Sequence, residues 1–306
     1  MPDRRAVAVL VAALALAGCA TSTTQLVRPA TRPSASAGGC PASPQNATRI
    51  GFYAPSPRAL AAVEQLTHVQ AAWSLIYPKF GDPFPAASAC QSSEHGATPI
   101  IQIDPYHTSM ASIAAGQYDV YLDTFARAVK EFGAPVILSL GHEMNGNWYP
   151  WGWTHTPPAT FVAAWRRVVT IFRHESATNA TWMWTVNINR SGSTVTRNPA
   201  AWWPGSQYVG LVGINGYFRY PGDTWDTVFS SVIAEVRQVT SLPLLLSETG
   251  VEIGANSYSQ TVQMFQGVER NQLVGLVWFN AAGTRDWRLE HDPAALAAFR
   301  TGAARF

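Results

Sequence analysis

The chain has 306 residues, 47% of them hydrophobic, with 21 Lys and Arg against 19 Asp and Glu and a formal net charge of +2. That composition supports a substantial core, in one large domain or two small ones, and with no basic run among the aromatics it predicts no nucleic-acid partner. No group of His, Cys and carboxylates has metal-ligand spacing, so neither a metal nor another cofactor is expected.

Arg4 and Arg5 precede an apolar run, Ala6 to Ala17, that is too short to cross a bilayer and ends in Leu16, Ala17, Gly18 and Cys19. This is the pattern of an export signal over residues 1–18. The tetrad resembles a bacterial lipoprotein cleavage site, which implies lipidation of Cys19. The membrane would then be met only through that anchor, on the cell surface or the periplasmic face. Ordinary secretion without Cys19 is the alternative. Residues 19–47, rich in Ser, Thr, Pro, Ala and Gly, read as a flexible tether. Cys40 and Cys90 remain after export, and an oxidising setting predicts one disulfide between them.

Residues 48–306 alternate short apolar runs with helical periodicity. The runs are Arg49 to Tyr53, His68 to Tyr77, Pro99 to Asp104, Val136 to Leu140, Ala180 to Asn187, Tyr208 to Tyr217, Leu242 to Glu248 and Val274 to Asn280. Leu122, Phe125, Ala126 and Val129 mark a helix before the fourth run, and Phe161, Trp165, Val168 and Phe172 one after it. Phe229, Val232, Ile233 and Val236 mark another. Thr156-Pro157 and Asp292-Pro293 look like helix starts, a cap followed by proline. The second crossover, through Pro83, Pro85 and Cys90, and the fifth lack a long helical pattern. Eight such units still favour an α/β fold of the (β/α)8 TIM-barrel type, a single catalytic domain, over a doubly wound sheet.

In such a barrel the strand ends form the mouth. They are polar here: Asp104 ends the third run, Glu143 follows the fourth, Asn187 ends the fifth, Asn215 and Tyr217 the sixth, Glu248 the seventh and Asn280 the eighth. Trp148, Tyr149, Trp151 and Trp153 follow Glu143, and flat apolar faces beside a carboxylic acid suit pyranose rings. Glu143 and Glu248 lie three βα units apart, so a closed barrel sets them across its mouth, where one carboxyl can act as acid and the other as nucleophile. Asp104 is a rival for either role, or a buried structural carboxylate.

The motifs HEMNGNWYPWG at His142 to Gly152, WMWTVN at Trp182 to Asn187 and VGINGY at Val212 to Tyr217 appear in order along the chain. LLSETG at Leu245 to Gly250, VWFN at Val277 to Asn280 and DWRLE at Asp286 to Glu290 follow. Together they resemble glycoside hydrolase family 26, over essentially all of residues 50–300. The resemblance implies a retaining (β/α)8 enzyme with Glu143 as acid/base and Glu248 as nucleophile. It makes His142 and Tyr217 orienting partners and Trp148 and Trp278 sugar contacts.

Two positions depart from the family pattern: Ser139 stands where Arg is common, and Asn215 where Asp is common. The first removes a cation near the acid, and the second bears on a substrate hydroxyl contact. Strand alternation would point His142 and Glu143 to opposite sides, so His142 has a packing reading too. His107 and Asn187 are further candidate substrate contacts. Trp184 reads as core, while Trp202, Trp203 and Trp225 read equally as sugar platforms or packing. The expected activity is that of a monomeric endo-β-glycanase acting on a β-linked polysaccharide. By analogy with the family the favoured substrate is β-1,4-mannan, with mixed-linkage β-glucan and β-1,3-xylan as alternatives. A glycan-binding protein on a disabled scaffold would have lost a carboxylate, and both are present.

Overall fold

Eight parallel strands close on themselves in sequence order: β1 Ile50–Tyr53, β2 Trp73–Ile76, β3 Thr98–Ile103, β4 Val136–Leu140, β5 Ala180–Asn187, β6 Leu211–Phe218, β7 Leu244–Val251 and β8 Gly275–Phe279. β1 pairs with both β2 and β8, which makes the sheet a barrel. Outside it pack α1 Pro57–Thr67, α2 Ala86–Glu94, α3 Met110–Ala114, α4 Asp119–Phe132, α5 Pro158–His174, α6 Ser231–Arg237, α7 Ser257–Arg270 and α8 Pro293–Ala303. The chain thus forms the (β/α)8 barrel its sequence predicts. This computed structural model describes residues 39–306 except 41, 42, 191 and 284. The leader, Cys19 and the tether as far as residue 38 lie outside the described residues.

Side chains alternate in and out along each strand, and the inward positions fall into three layers. The lowest is apolar: Leu75, Ile100, Ile137, Met183, Leu211, Leu245 and Val277 form one cluster. Two residues further on, Gln102, Ser139, Thr185 and Ser247 are buried polar groups. Gly213 shares this layer because a Cβ there would lie 2.4 Å from Ser247 Oγ and 2.8 Å from Thr185 Oγ1. Above them Asp104, Asn187, Asn215 and Tyr217 reach the mouth. Outward residues such as Phe52, Leu138, Trp184, Leu246 and Trp278 form the larger core against the helices.

Several sequence expectations change. β2 begins at Trp73, because His68 sits in the left-handed region (φ 60°) as the C-cap of α1. The second crossover carries a short helix, α2, although prolines flank its start. Thr156 does not cap α5; its hydroxyl donates to Pro150 O at 3.2 Å, and the helix opens at Pro158. Asp292 does cap α8, accepting from the backbone of Ala294 and Ala295. Among the described residues between β5 and β6 there are only short 3-10 turns, Pro199–Trp202 and Ser206–Tyr208. Trp202 is buried there, and the Trp203 ring lies 5.1 Å from that of Trp184. Trp225 packs on Phe229 at 4.7 Å, so Trp202 and Trp225 are packing residues.

The domain also starts before residue 48. A disulfide joins Cys40 to Cys90, Ser43 N donates to Ser93 O, and Asn46 donates to Ala71 O and His95 O. Cys40, Ser43 and Asn46 are therefore fastened to the bottom of the barrel.

Candidate active site

Two interruptions of regular strand geometry build the mouth. After β4, Gly141 and Glu143 both take φ of 57°, a left-handed conformation costly for glutamate. The Glu143 N–H is tied to Thr185 O at 2.9 Å, and the Trp151 indole donates to His142 O at 2.6 Å. This turn cancels the alternation expected of His142 and Glu143: His142 bonds Asp104 and Tyr149, Glu143 bonds Asn215 and Trp148, and the charge of Glu143 acts on the imidazole. In β7 the register shifts between Leu246 and Thr249. The irregularity lets consecutive residues face inward: Ser247 reaches Asn215, and Glu248 reaches Tyr217.

The two glutamates are nearly buried and held differently. Glu143 Oε1 accepts from Asn215 Nδ2 at 3.0 Å, and Oε2 from Trp148 Nε1 at 2.9 Å. Glu248 accepts the phenol hydroxyls of Tyr217 on Oε1 and Tyr77 on Oε2. Burial, with the charge of Glu143, pushes the Glu248 carboxyl up to about 6, against the opposing pull of His142 and the two phenols. The same burial and the nearby carboxylate hold Tyr77 and Tyr217 well above the usual phenol range, so both stay donors.

His142 stands between Asp104, 2.7 Å from Nδ1, and the Tyr149 hydroxyl, 3.1 Å from Nε2. Burial alone would lower its pKa. The charge and hydrogen bond of Asp104, with Glu143 and Glu248 beyond, outweigh burial and raise it to about 9. At neutral pH the ring is an imidazolium that donates from both nitrogens. Among the described residues no Lys or Arg bonds either glutamate, so His142 supplies the local cation. Ser139 instead pairs with Thr185 at 3.0 Å in the barrel interior.

The remaining predicted residues divide. Trp148 is 42% exposed beside Glu143. Asn187 ends β5 with a buried side chain, and its backbone is clasped by the Asn145 amide. His107 is exposed on the loop after β3 and makes no hydrogen bond with the described residues. Asn215 is fully buried and bonds Glu143 and Ser247, a place for orienting Glu143. Trp278 is corrected. It is 1% exposed, its indole donates to Trp287 O, and its ring packs edge-on against Phe299, so it faces the helices. Strand alternation gives the inward place to its neighbour Phe279, which stacks on Tyr53 at 4.4 Å.

Sequence reasoning missed Tyr77, Tyr53 and Ser247, and gave Tyr149 no partner. Tyr77 carried the signal used elsewhere, a polar residue ending a strand run. Cys40, Cys90 and Glu94 offer atoms within 4.8 Å of one another, but the cysteines are spent in the disulfide and do not form a metal site.

The profile of Glycosyl hydrolase family 26 matches residues 91–260, a span that takes in both glutamates. The chain belongs to this family. It is 30% identical over 220 residues to Endoglucanase H of Acetivibrio thermocellus, covering 67% of this chain and 24% of that protein. It is 26% identical over 170 residues to mannan endo-1,4-beta-mannosidase A and B of Caldalkalibacillus mannanilyticus, covering 51% and 31%. Beta-1,3-xylanase TXYA of a Vibrio species is 27% identical over 203 residues, covering 58% and 42%. The matches thus span between a quarter and two fifths of these curated relatives. Among solved structures, an endo-beta-1,4-mannanase of Cellulomonas fimi superposes with a TM-score of 0.65 at 16% identity, covering 84% of this chain and 70% of that one. A family 26 beta-mannanase of Bacteroides ovatus gives 0.62 at 14% identity, covering 83% and 88%. At these identities the likeness is one of fold. The family 26 barrel here presents two carboxyls in unlike settings, one held by phenols and one by an indole and an amide.

Proposed function

We propose that the protein is a retaining endo-β-glycanase that cleaves β-1,4-mannan-type polysaccharides by double displacement, with Glu248 as nucleophile and Glu143 as acid/base. The observation that carries this reading is the pair of buried glutamates with separate donor sets, Glu248 held by two phenols and Glu143 by an indole and an amide. In the first step Glu248 attacks the anomeric carbon while Glu143 gives its proton to the departing glycosidic oxygen. This leaves a glycosyl ester on Glu248 and a free sugar alcohol. In the second step Glu143 takes a proton from water, the water oxygen attacks the same carbon, and Glu248 departs. Two inversions return the β configuration.

Tyr217 and Tyr77 hold the attacking carboxylate, and the His142 imidazolium keeps it ionised despite its burial. Trp148 offers its indole face to a sugar adjoining the scissile bond. Mannan is preferred because three enzymes named for mannan are among the related proteins and structures. A β-glucan is the second reading, favoured by the 30% identity to Endoglucanase H. In this proposal the enzyme acts as a monomer outside the cytoplasm, anchored through lipid on Cys19, and a Cys19→Ala chain would be released from membranes.

The deciding experiment digests β-1,4-mannan, mixed-linkage β-glucan and β-1,3-xylan with residues 39–306 and identifies the products. Internal cleavage of mannan with β-anomeric products is expected. Cleavage of only the glucan or the xylan would move the substrate, and no cleavage of any β-glycan would overturn the reading.

A further inference from the structure

Glu143 accepts a hydrogen bond on each oxygen, and the two donors are unlike. Oε1 takes the amide N–H of Asn215, a side chain with no exposure, inside the barrel. Oε2 takes the indole N–H of Trp148, which is 42% exposed at the mouth. Behind Asn215, the fully buried Ser247 hydroxyl donates to its Oδ1 at 2.8 Å, in room left by Gly213. With Oδ1 occupied by that hydroxyl, the amide turns its NH2 toward Glu143. An amide NH2 donates and cannot accept, so a proton on Oε1 would face another proton. Oε2 has no such constraint, because a substrate oxygen can displace the exposed indole.

We propose that Ser247 and Asn215 form a positioning pair that commits Glu143 Oε1 as a standing acceptor and confines the catalytic proton to Oε2, on the cleft side. The proposal rests on the reading of Glu143 as acid/base. During glycosylation the proton leaves Oε2 for the departing oxygen as its bond to the anomeric carbon breaks. During deglycosylation Oε2 takes a proton from the attacking water. Oε1 keeps its bond to Asn215 through both steps. An ionised aspartate at 215, the residue the family pattern leads one to expect, has no N–H to give. This chain's asparagine therefore does work that an aspartate could do only when protonated.

The test uses aryl β-glycosides of the sugar released in the panel digest, with leaving groups running from dinitrophenol to phenol. Asn215→Leu keeps the volume and removes the donor; Ser247→Ala removes the hydroxyl that orients the amide. For Asn215→Leu, kcat/KM should fall about 10- to 100-fold with phenol as leaving group, the scale of one hydrogen bond to a charged group. It should stay near wild type with dinitrophenol, which departs without an acid. Ser247→Ala should show a smaller loss of the same kind. Equal losses along the series, or none, would overturn the proposal. Glu143→Ala on the same series separates the two levels: if it shows the leaving-group dependence and Asn215→Leu does not, only the positioning role falls. If Glu143→Ala lacks it, the acid assignment falls and the proposal with it. Should Asn215→Leu fail to fold, Ser247→Ala decides alone.

Discussion

His142 Nδ1 and Asp104 Oδ1 lie 2.7 Å apart, joining the ends of β4 and β3 with both side chains almost fully buried. The contact keeps a histidine charged where burial alone would neutralise it. Because the folded pKa of about 9 lies above the ordinary 6.5, the contribution to stability is complete below pH 6.5. It declines as pH rises through about 9. Asp104→Asn should cost about 1.5–3 kcal/mol at pH 6, the range for a hydrogen bond to a charged group, and flatten this decline. Urea midpoints from pH 6 to 10 check both. A variant whose pH dependence matches wild type would detach Asp104 from the charge of His142.

The pKa of Glu248 sets the acid side of the activity profile. A nucleophile must be ionised, and burial has raised this one to about 6. In the free enzyme kcat/KM should therefore rise with pH to a plateau, half-maximal near 6. Tyr77→Phe removes a donor that favours the ionised form, so the midpoint should move up. A midpoint unmoved by that change would show that the limb belongs to another group.

Glu143 makes a different kinetic prediction. Glu143→Ala should slow cleavage of natural glycan by about 100-fold or more, the range of a positioned general acid, while sparing glycosylation by aryl glycosides with good leaving groups. Azide should then replace water in the second step and release a β-glycosyl azide. Equal losses on both substrate types with no azide product would remove the acid assignment.

Two tryptophans, 148 and 278, give opposite expectations. Trp148→Ala should lower kcat/KM with a small change in stability, because the ring is half exposed and bonded to Glu143. Trp278→Ala should cost about 3–5 kcal/mol of stability, as for other buried aromatic truncations. Denaturant midpoints and kcat/KM on the same preparations separate them. A large midpoint loss for Trp148→Ala would make it a core residue.

Much of this was legible in the sequence because a parallel barrel repeats one signal: an apolar run that ends in a polar residue at the mouth. That signal located Glu143, Glu248, Asn187 and Tyr217, and the same rule applied to the second run would have found Tyr77. It failed where the backbone departs from strand geometry. The left-handed turn at Gly141 and Glu143 brings His142 and Glu143 within electrostatic reach of each other, and the β7 irregularity turns Ser247 and Glu248 inward together. Alternation, applied without those breaks, would set these neighbours on opposite sides. Trp278 failed for the converse reason. Motif resemblance made it a sugar contact, while the period of β8 turns it outward and Phe279 inward. The cysteine pair announced one tie of the segment before residue 48, but the hydrogen bonds of Ser43 and Asn46 were not legible because small polar residues carry no periodic pattern.

The most direct test of the two-glutamate mechanism is covalent trapping. The enzyme would be incubated with a 2-deoxy-2-fluoro glycosyl fluoride of the sugar it releases, digested with protease, and mapped by mass spectrometry. The mechanism predicts one fluorosugar attached to the peptide carrying Glu248, with activity lost in proportion to labelling. A label on Asp104 or Glu143, or inactivation without any label on Glu248, would contradict it.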